Sequence, residues 1–176
     1  MTLEAFADTI VPGEKRFPGD RAVAGVSTGG GAVASGALEL LDQSASGYAA
    51  VLEPLADALN AHATGYATEA GIDLDPDVPP FAALDHPHRT ALLQRLLAPG
   101  NPEKEMWVGL ALFSNMAFDS AAHLATGEAM AAGHPGLATI GITRPDPDGL
   151  WRFPEYSYGR QLAPIHPGTT ATGSPS

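Results

Sequence analysis

The chain has 176 residues, and its 20 acidic and nine basic side chains give a formal net charge of −11. A surface this acidic repels nucleic acid and anionic membranes, so neither is an expected partner. The chain contains no cysteine, which excludes disulfides, thiolate metal sites and thiol nucleophiles. Its length fits one domain with enough residues to bury a real core.

The first half of the chain alternates helical patterns with turns rich in proline and glycine. Residues 2 to 11 carry apolar side chains at helical spacing, and Thr2 is placed to cap that helix. A second short helix is predicted over about 20 to 26. The glycines at 29 to 31 predict a flexible linker, because their spacing fits neither a P-loop nor a dinucleotide fingerprint. Further helices are predicted over residues 32–42, 45–70 and 87–98.

The longest apolar pattern in the chain predicts its central element. It runs from Glu103 to about Thr126, between Pro102 and Gly127, which are typical residues for a helix start and end. Apolar residues cover most of its circumference, and this is typical of a buried, central helix. We therefore predict an all-α fold, a helical bundle around a buried helix at about 103–126.

The residues that follow this helix predict less regular structure. Residues 137 to 143 fit either a β-strand or buried coil. Four aromatic side chains then predict an irregular C-terminal wrap that packs over the helices: Trp151, Phe153, Tyr156 and Tyr158. The sequence thus predicts a single helical domain over residues 1–166, with a disordered tail at 167–176 because the tail is built of small residues.

Three polar residues interrupt the apolar surface of the central helix. Asn115, Asp119 and His123 follow one another at intervals of four residues, which places them on one face of a helix. A carboxylate one turn from a histidine can fix its tautomer, and an oriented imidazole in a dry pocket is a usable general base. Alternatively, the three side chains hydrogen-bond the irregular C-terminal segment and serve the fold alone.

No metal site is predicted from the sequence. Asp85, His86 and His88 lie close together, but no further cluster supplies the remaining ligands by its spacing. The alternating aspartates at 73, 75 and 77 lack the glycine and glutamate of a calcium loop.

The opening residues resemble a known family. Leu3-Glu-Ala-Phe-Ala-Asp-Thr-Ile-Val-Pro-Gly13, followed by Phe17-Pro-Gly-Asp and Ala24-Gly-Val26, is similar to the start of the gluconate 2-dehydrogenase subunit 3 family. Trp151 and Tyr156-Ser-Tyr-Gly159 are similar to its C-terminal segment. The chain also looks like a group of uncharacterised actinobacterial proteins that share this opening.

The resemblance implies a small accessory subunit that binds and stabilises a flavin-dependent oxidoreductase of the glucose–methanol–choline type. It implies that FAD is held by the large partner and that this chain binds no cofactor itself. The family supplies no catalytic residues to transfer. The expected interface combines the apolar helix surface with the aromatic wrap: Trp107, Met116, Trp151, Phe153, Tyr156 and Tyr158.

The N-terminus shows neither a basic leader nor an apolar signal core, which predicts a cytoplasmic protein and leaves export with a partner open.

A second hypothesis about the function also stays open. The residues Asn115, Asp119 and His123 would suit a stand-alone, cofactor-free enzyme of specialised metabolism, an isomerase, cyclase or dehydratase acting on an apolar small molecule. A non-catalytic carrier would use the same pocket without the chemistry. The sequence does not decide whether the protein is an enzyme.

Overall fold

A computed structural model describes residues 1–142 and 167–169 of the chain. The chain divides into two compact units, Met1–Ile142 and Thr143–Ser176. The single domain over residues 1–166 stays a prediction. The four aromatic residues of the predicted wrap lie outside the described residues, as does most of the predicted tail. The first unit contains eight α-helices: α1 (Thr2–Ile10), α2 (Ala37–Asp42), α3 (Leu52–Ala70), α4 (Pro80–Ala83), α5 (His86–Leu96), α6 (Lys104–Ser120), α7 (Thr126–Ala131) and α8 (Pro135–Thr139).

The all-α prediction is confirmed, because the described residues form helices, turns and loops without a β-strand. The main core lies where α1, α3, α4, α5 and α6 meet. Phe6 of α1 packs against Trp107 of α6 at a ring-centroid distance of 6.1 Å, and both side chains are fully buried. Leu59, Phe81 and Leu110 complete the centre of this core. Within the described residues no helix is both long and apolar enough to cross a membrane.

Local sequence signals explain the ends of several helices. Asp85 accepts a hydrogen bond from the His88 backbone N–H at 3.0 Å and so caps α5. Pro54 lies in the first turn of α3, where the missing N–H costs nothing. Gly71 ends the same helix in the left-handed conformation, with φ of 67°.

The central helix is shorter and more exposed than predicted. It ends at Ser120 rather than near Thr126, because Ala121 adopts the left-handed conformation with φ of 49°. Ala121 is itself fully buried in a small cluster with α7 and α8, so packing offsets the unfavourable backbone geometry of a non-glycine residue there. Only one face of α6 is buried, and Val108 and Leu112 on its outer face are exposed.

The residues after α1 differ from the prediction. Thr2 does not cap α1, because its side chain hydrogen-bonds Asn60 of α3. No helix forms over 20 to 26. Asp20 there accepts hydrogen bonds from the backbone N–H groups of Ala22 and Val23, which hold the segment in a turn.

The glycine run is a packed element and not a flexible linker. The Ala32 N–H donates to the Val11 carbonyl at 2.9 Å, and the Glu14 N–H donates to the Gly29 carbonyl at 2.8 Å. These bonds bring two backbones so close that a Cβ at Gly31 would overlap the Val11 carbonyl. Glycine is required here by close approach of backbones, a reason that glycine spacing alone does not reveal.

Residues 135 to 139 form the helix α8, so the prediction of strand or coil from residue 137 is wrong. His134 caps this helix, since its Nδ1 accepts a hydrogen bond from the Leu137 N–H at 3.3 Å. Pro135 follows at the first helical position, which its fixed φ favours. A Cβ at Gly136 would overlap the Phe118 carbonyl, so α8 lies directly against α6.

Candidate functional site

The three polar residues predicted on one helical face do not form a continuous group. The Asn115 amide donates to the Asp119 carboxylate at 2.7 Å, and both side chains are exposed on α6. His123 lies in the loop after α6, because the helix has already ended at Ser120. Asp119 therefore does not orient the imidazole as the sequence predicted, and any catalytic role of the three residues stays a prediction.

His123 lies instead against the start of α2. Its ring fills the space where a Cβ at Gly36 would project, and its centroid lies 5.9 Å from that of His134. Burial lowers the pKa of His123, and the neighbouring His134 lowers it further, while Glu39 acts in the opposite direction. The buried Nδ1 atom of His123 has no hydrogen-bond partner among the described residues.

Ser35 and His134 complete this cluster. The Nε2 of His134 hydrogen-bonds the Ser35 carbonyl at 3.0 Å, and its Nδ1 accepts from the Leu137 N–H at the cap of α8, so both ring nitrogens are engaged. The Ser35 hydroxyl is buried and has no partner among the described residues. The sequence did not single out this cluster, because Ser35 lacks a nucleophile-elbow motif and His134 precedes a Pro-Gly turn.

The residues predicted for an interface divide into three groups. Trp107 is fully buried, so its prediction as an interface residue is wrong: it faces α1 and α3, and its Nε1–H donates to Glu103 at 3.0 Å. Met116 is partly buried against α1 and α2. Trp151, Phe153, Tyr156 and Tyr158 lie outside the described residues. The exposed apolar residues of α6 are Val108 and Leu112, which the sequence assigned to a buried surface.

A cleft with a volume of about 390 Å³ lies between the loop after α1 and the start of α5. Its lining includes Lys15, Arg21 and Arg89 beside seven apolar residues, Val23, Ala24, Val26, Ala82, Ala83, Leu84 and Pro87. Asp20, Asp85 and His86 also line it. The sequence did not predict this cleft, because its two walls are about 60 residues apart in the chain.

Arg89 connects the two walls of the cleft. Its guanidinium donates to four backbone carbonyls, those of Arg21, Ala22, Ala82 and Leu84, at 2.6–2.8 Å. The side chain is only 3% exposed, and burial lowers its pKa. Arg89 therefore fixes the loop to α4 and α5. Because its acceptors are backbone carbonyls, this contact does not depend on which side chains stand at the four acceptor positions.

Two buried aspartates hold the same loop from the other side. Asp8 of α1 accepts hydrogen bonds from the Gly13 and Ala24 N–H groups, at 3.1 and 2.8 Å. Asp20 is bound by Arg16, whose guanidinium lowers the pKa of that carboxyl to about 2. The opening motif on which the family resemblance depends thus has a structural role, because its aspartate and glycine determine the path of the loop.

A second cleft, of about 310 Å³, lies between α3 and α5 and is bordered by His62, Tyr66 and Arg95. Nearby, Glu103 bonds both the His62 imidazole at 2.7 Å and the Trp107 indole. Neither cleft is lined by Asn115, Asp119 or His123. Residues 1–142 and 167–169 contain no group of three or more acidic or histidine side chains arranged to hold a metal ion.

Comparison with protein-family models places the chain in a family. A protein-family model covers residues 1–176, the whole chain, and the family that it describes has no known function. No curated protein and no solved structure matches the chain.

Proposed function

The chain belongs to DUF5987, a family of unknown function, and we propose that it is a small accessory subunit that binds and stabilises a flavin-dependent oxidoreductase. The proposal rests on the similarity of its opening to the gluconate 2-dehydrogenase subunit 3 family and on one structural observation. That observation is the exposed apolar surface on the outer face of α6.

Val108 and Leu112 are 43% and 54% exposed and lie one turn apart on this face. Single exposed apolar residues are common on protein surfaces, but an adjacent pair on a long helix offers a continuous apolar contact. A partner helix or loop that covers both would bury them without disturbing the core, since the opposite face of α6 already packs there. This supports a protein partner for α6.

The buried polar groups near the family motif support a non-catalytic role. The hydrogen bonds of Asp8, Asp20 and Arg89 go to backbone groups or to Arg16. These polar groups therefore stabilise the loop after α1. In the proposed complex FAD is bound by the large partner. We propose that Met116 and the aromatic residues Trp151, Phe153, Tyr156 and Tyr158 extend the contact surface.

The experiment is co-expression and co-purification of this chain with a flavin-dependent oxidoreductase of the glucose–methanol–choline type from the same organism. The wild-type chain is expected to remain with the flavoprotein through size-exclusion chromatography. Leu112→Glu is expected to abolish the association, because it places a charge in an apolar contact. Phe17→Glu is the matched control, since Phe17 is 56% exposed but belongs to the loop after α1. A flavoprotein that is soluble, active and unassociated in the absence of this chain contradicts the proposal.

A stand-alone enzyme or carrier for an apolar small molecule is the second candidate, and one observation favours it. Ser35 Oγ and His123 Nδ1 are buried and have no hydrogen-bond partner in the described part of the chain, which is unusual for groups that serve only the fold. The test is turnover or binding of candidate substrates by the purified chain. Activity that is unchanged in His123→Ala would remove His123 from the mechanism.

A further inference from the structure

The cleft between the loop after α1 and the start of α5 carries two positive charges that are not paired with a carboxylate of the described residues. Lys15 donates its hydrogen bond to the Asp20 backbone carbonyl at 3.1 Å, and the four hydrogen bonds that Arg89 makes among the described residues go to backbone carbonyls. The third cation of the lining, Arg21, is paired with Asp75 at 3.0 Å. A buried charge is ordinarily paired with an opposite charge, so Arg89 departs from the common pattern.

The two carboxylates of the lining do not supply that pairing. Both oxygens of Asp20 are occupied by Arg16 and by backbone N–H groups. Asp85 is exposed at the rim, where it caps α5. The buried Asp8 lies near enough to favour the charged form of Arg89, but its hydrogen bonds go to Gly13 and Ala24.

Residues that line the same cleft have unused hydrogen-bonding capacity. The four bonds of Arg89 use four of the five N–H groups of a guanidinium, which leaves one on Nη1. Lys15 has two further N–H groups beyond the bond that it makes. The Nε2 atom of His86 is buried and has no partner among the described residues.

The remaining walls are apolar and make up about half of the lining residues. A fully hydrated anion such as inorganic phosphate gains nothing from such walls, whereas an apolar skeleton does. A volume of about 390 Å³ is within the range of small-molecule sites.

We propose that this cleft binds a small organic carboxylate with an apolar body, whose carboxylate pairs with Lys15 and Arg89. The apolar body lies against Val26, Ala83 and Pro87, which line the cleft and reach its surface. Binding here does not depend on an oxidoreductase partner, so it can be tested on the chain alone.

The test uses benzoate as the probe and benzamide, which has nearly the same shape without the charge, as its comparison. Isothermal titration is expected to give saturable binding of benzoate and at least tenfold weaker binding of benzamide, because charge-assisted hydrogen bonds are lost. Benzamide that binds as tightly as benzoate, or benzoate that does not bind, overturns the proposal. Inorganic phosphate that displaces benzoate at equal concentration overturns the assignment to organic carboxylates.

Variants of residues that reach the surface test the location without disturbing the fold. Lys15→Gln is expected to weaken benzoate binding about fivefold, while Lys104→Gln, the control at the other lysine of the chain, leaves it unchanged. Asp85→Asn retains the cap of α5 and removes a repelling charge, so about twofold tighter binding is expected. Equal effects of the two lysine variants contradict the proposal.

Imidazole NMR signals provide a second readout of location. Benzoate is expected to shift the ring signals of His86, which lines this cleft, and to leave those of His62, which borders the second cleft. A shift confined to His62 would place the ligand elsewhere and overturn the assignment.

Discussion

The guanidinium of Arg89 donates a hydrogen bond of 2.7 Å to the carbonyl of Ala22, 67 residues earlier in the chain. This bond joins a helix in the middle of the chain to the loop that follows the first helix. Because a carbonyl accepts the bond, the contact depends on the path of the backbone and not on the side chain at position 22.

Removal of the Arg89 guanidinium is expected to destabilise the whole unit. Arg89→Met leaves four carbonyls without their donor, and we expect a loss of about 3 kcal/mol in the free energy of unfolding, because buried acceptors then lack partners. Urea unfolding followed by circular dichroism measures the loss. Arg95→Met is the control, since Arg95 is exposed and pairs with an exposed Glu69, and it should cost under about 1 kcal/mol. Equal losses in the two variants would contradict this role.

The pairing of Asp20 with Arg16 predicts a dependence of stability on pH. The folded pKa of Asp20 is about 2, below the ordinary value of 3.8, so its stabilising contribution is present above about pH 4. That contribution is lost as the pH falls from 3.8 toward 2. Wild type is therefore expected to exceed Asp20→Asn in stability by about 1–2 kcal/mol at pH 6, with the difference narrowing below pH 4.

Chemical unfolding at a series of pH values measures the difference between the two proteins. Asp57→Asn, on the exposed face of α3, is the control and should follow wild type at every pH. If the difference in the free energy of unfolding between wild type and Asp20→Asn stays constant from pH 6 to pH 2, the charge of Asp20 does not contribute to stability.

At Gly36, the destabilisation caused by a clash with His123 can be measured separately from the cost of backbone strain. Both Gly36 and Gly47 have positive φ, of 83° and 74°, but only at Gly36 would a Cβ meet the His123 ring. Gly47→Ala is expected to cost about 1 kcal/mol of strain, and Gly36→Ala about 2 kcal/mol more because of the clash. Adding His123→Ala to Gly36→Ala should recover part of the loss. A double variant no more stable than Gly36→Ala would mean that the ring is not the obstacle.

Glu103 is expected to determine the environment of Trp107. Its carboxylate accepts the only indole hydrogen bond of a fully buried tryptophan. Glu103→Ala should therefore cost about 1–3 kcal/mol, whereas Glu103→Gln retains an acceptor and should cost less. Unfolding followed by tryptophan fluorescence in a Trp151→Phe background isolates Trp107, because the chain has two tryptophans. Identical stability of the alanine and glutamine variants would contradict the role of this bond.

The sequence predicted the helical class because periodicity and local caps act over a few residues. Asp85 and Gly71 are such signals, and the structure uses both as helix ends. The end of α6 carries no local signal: Ala121 is a good helix former that leaves the helix because its side chain is buried against α7 and α8. The apolar periodicity of the sequence does not record this tertiary contact and continues to residue 126. The sequence therefore predicted, wrongly, that His123 lies on the helix.

The cleft between the loop after α1 and the start of α5 could not be predicted from the sequence, for a related reason. Lys15 and Arg89 are far apart in the chain, and no spacing rule connects them. Similarly, the buried position of Ser35 follows from the packing of the glycine run and α8, which periodicity does not describe.

Asp8 binds two amides that lie on either side of the loop after α1, one at Gly13 and one at Ala24. Neither amide can exchange its proton with solvent unless its bond to the carboxylate breaks, and both bonds depend on the placement of one side chain. The two amides should therefore exchange in deuterated water with the same protection, as a single cooperative opening of α1 and the loop together.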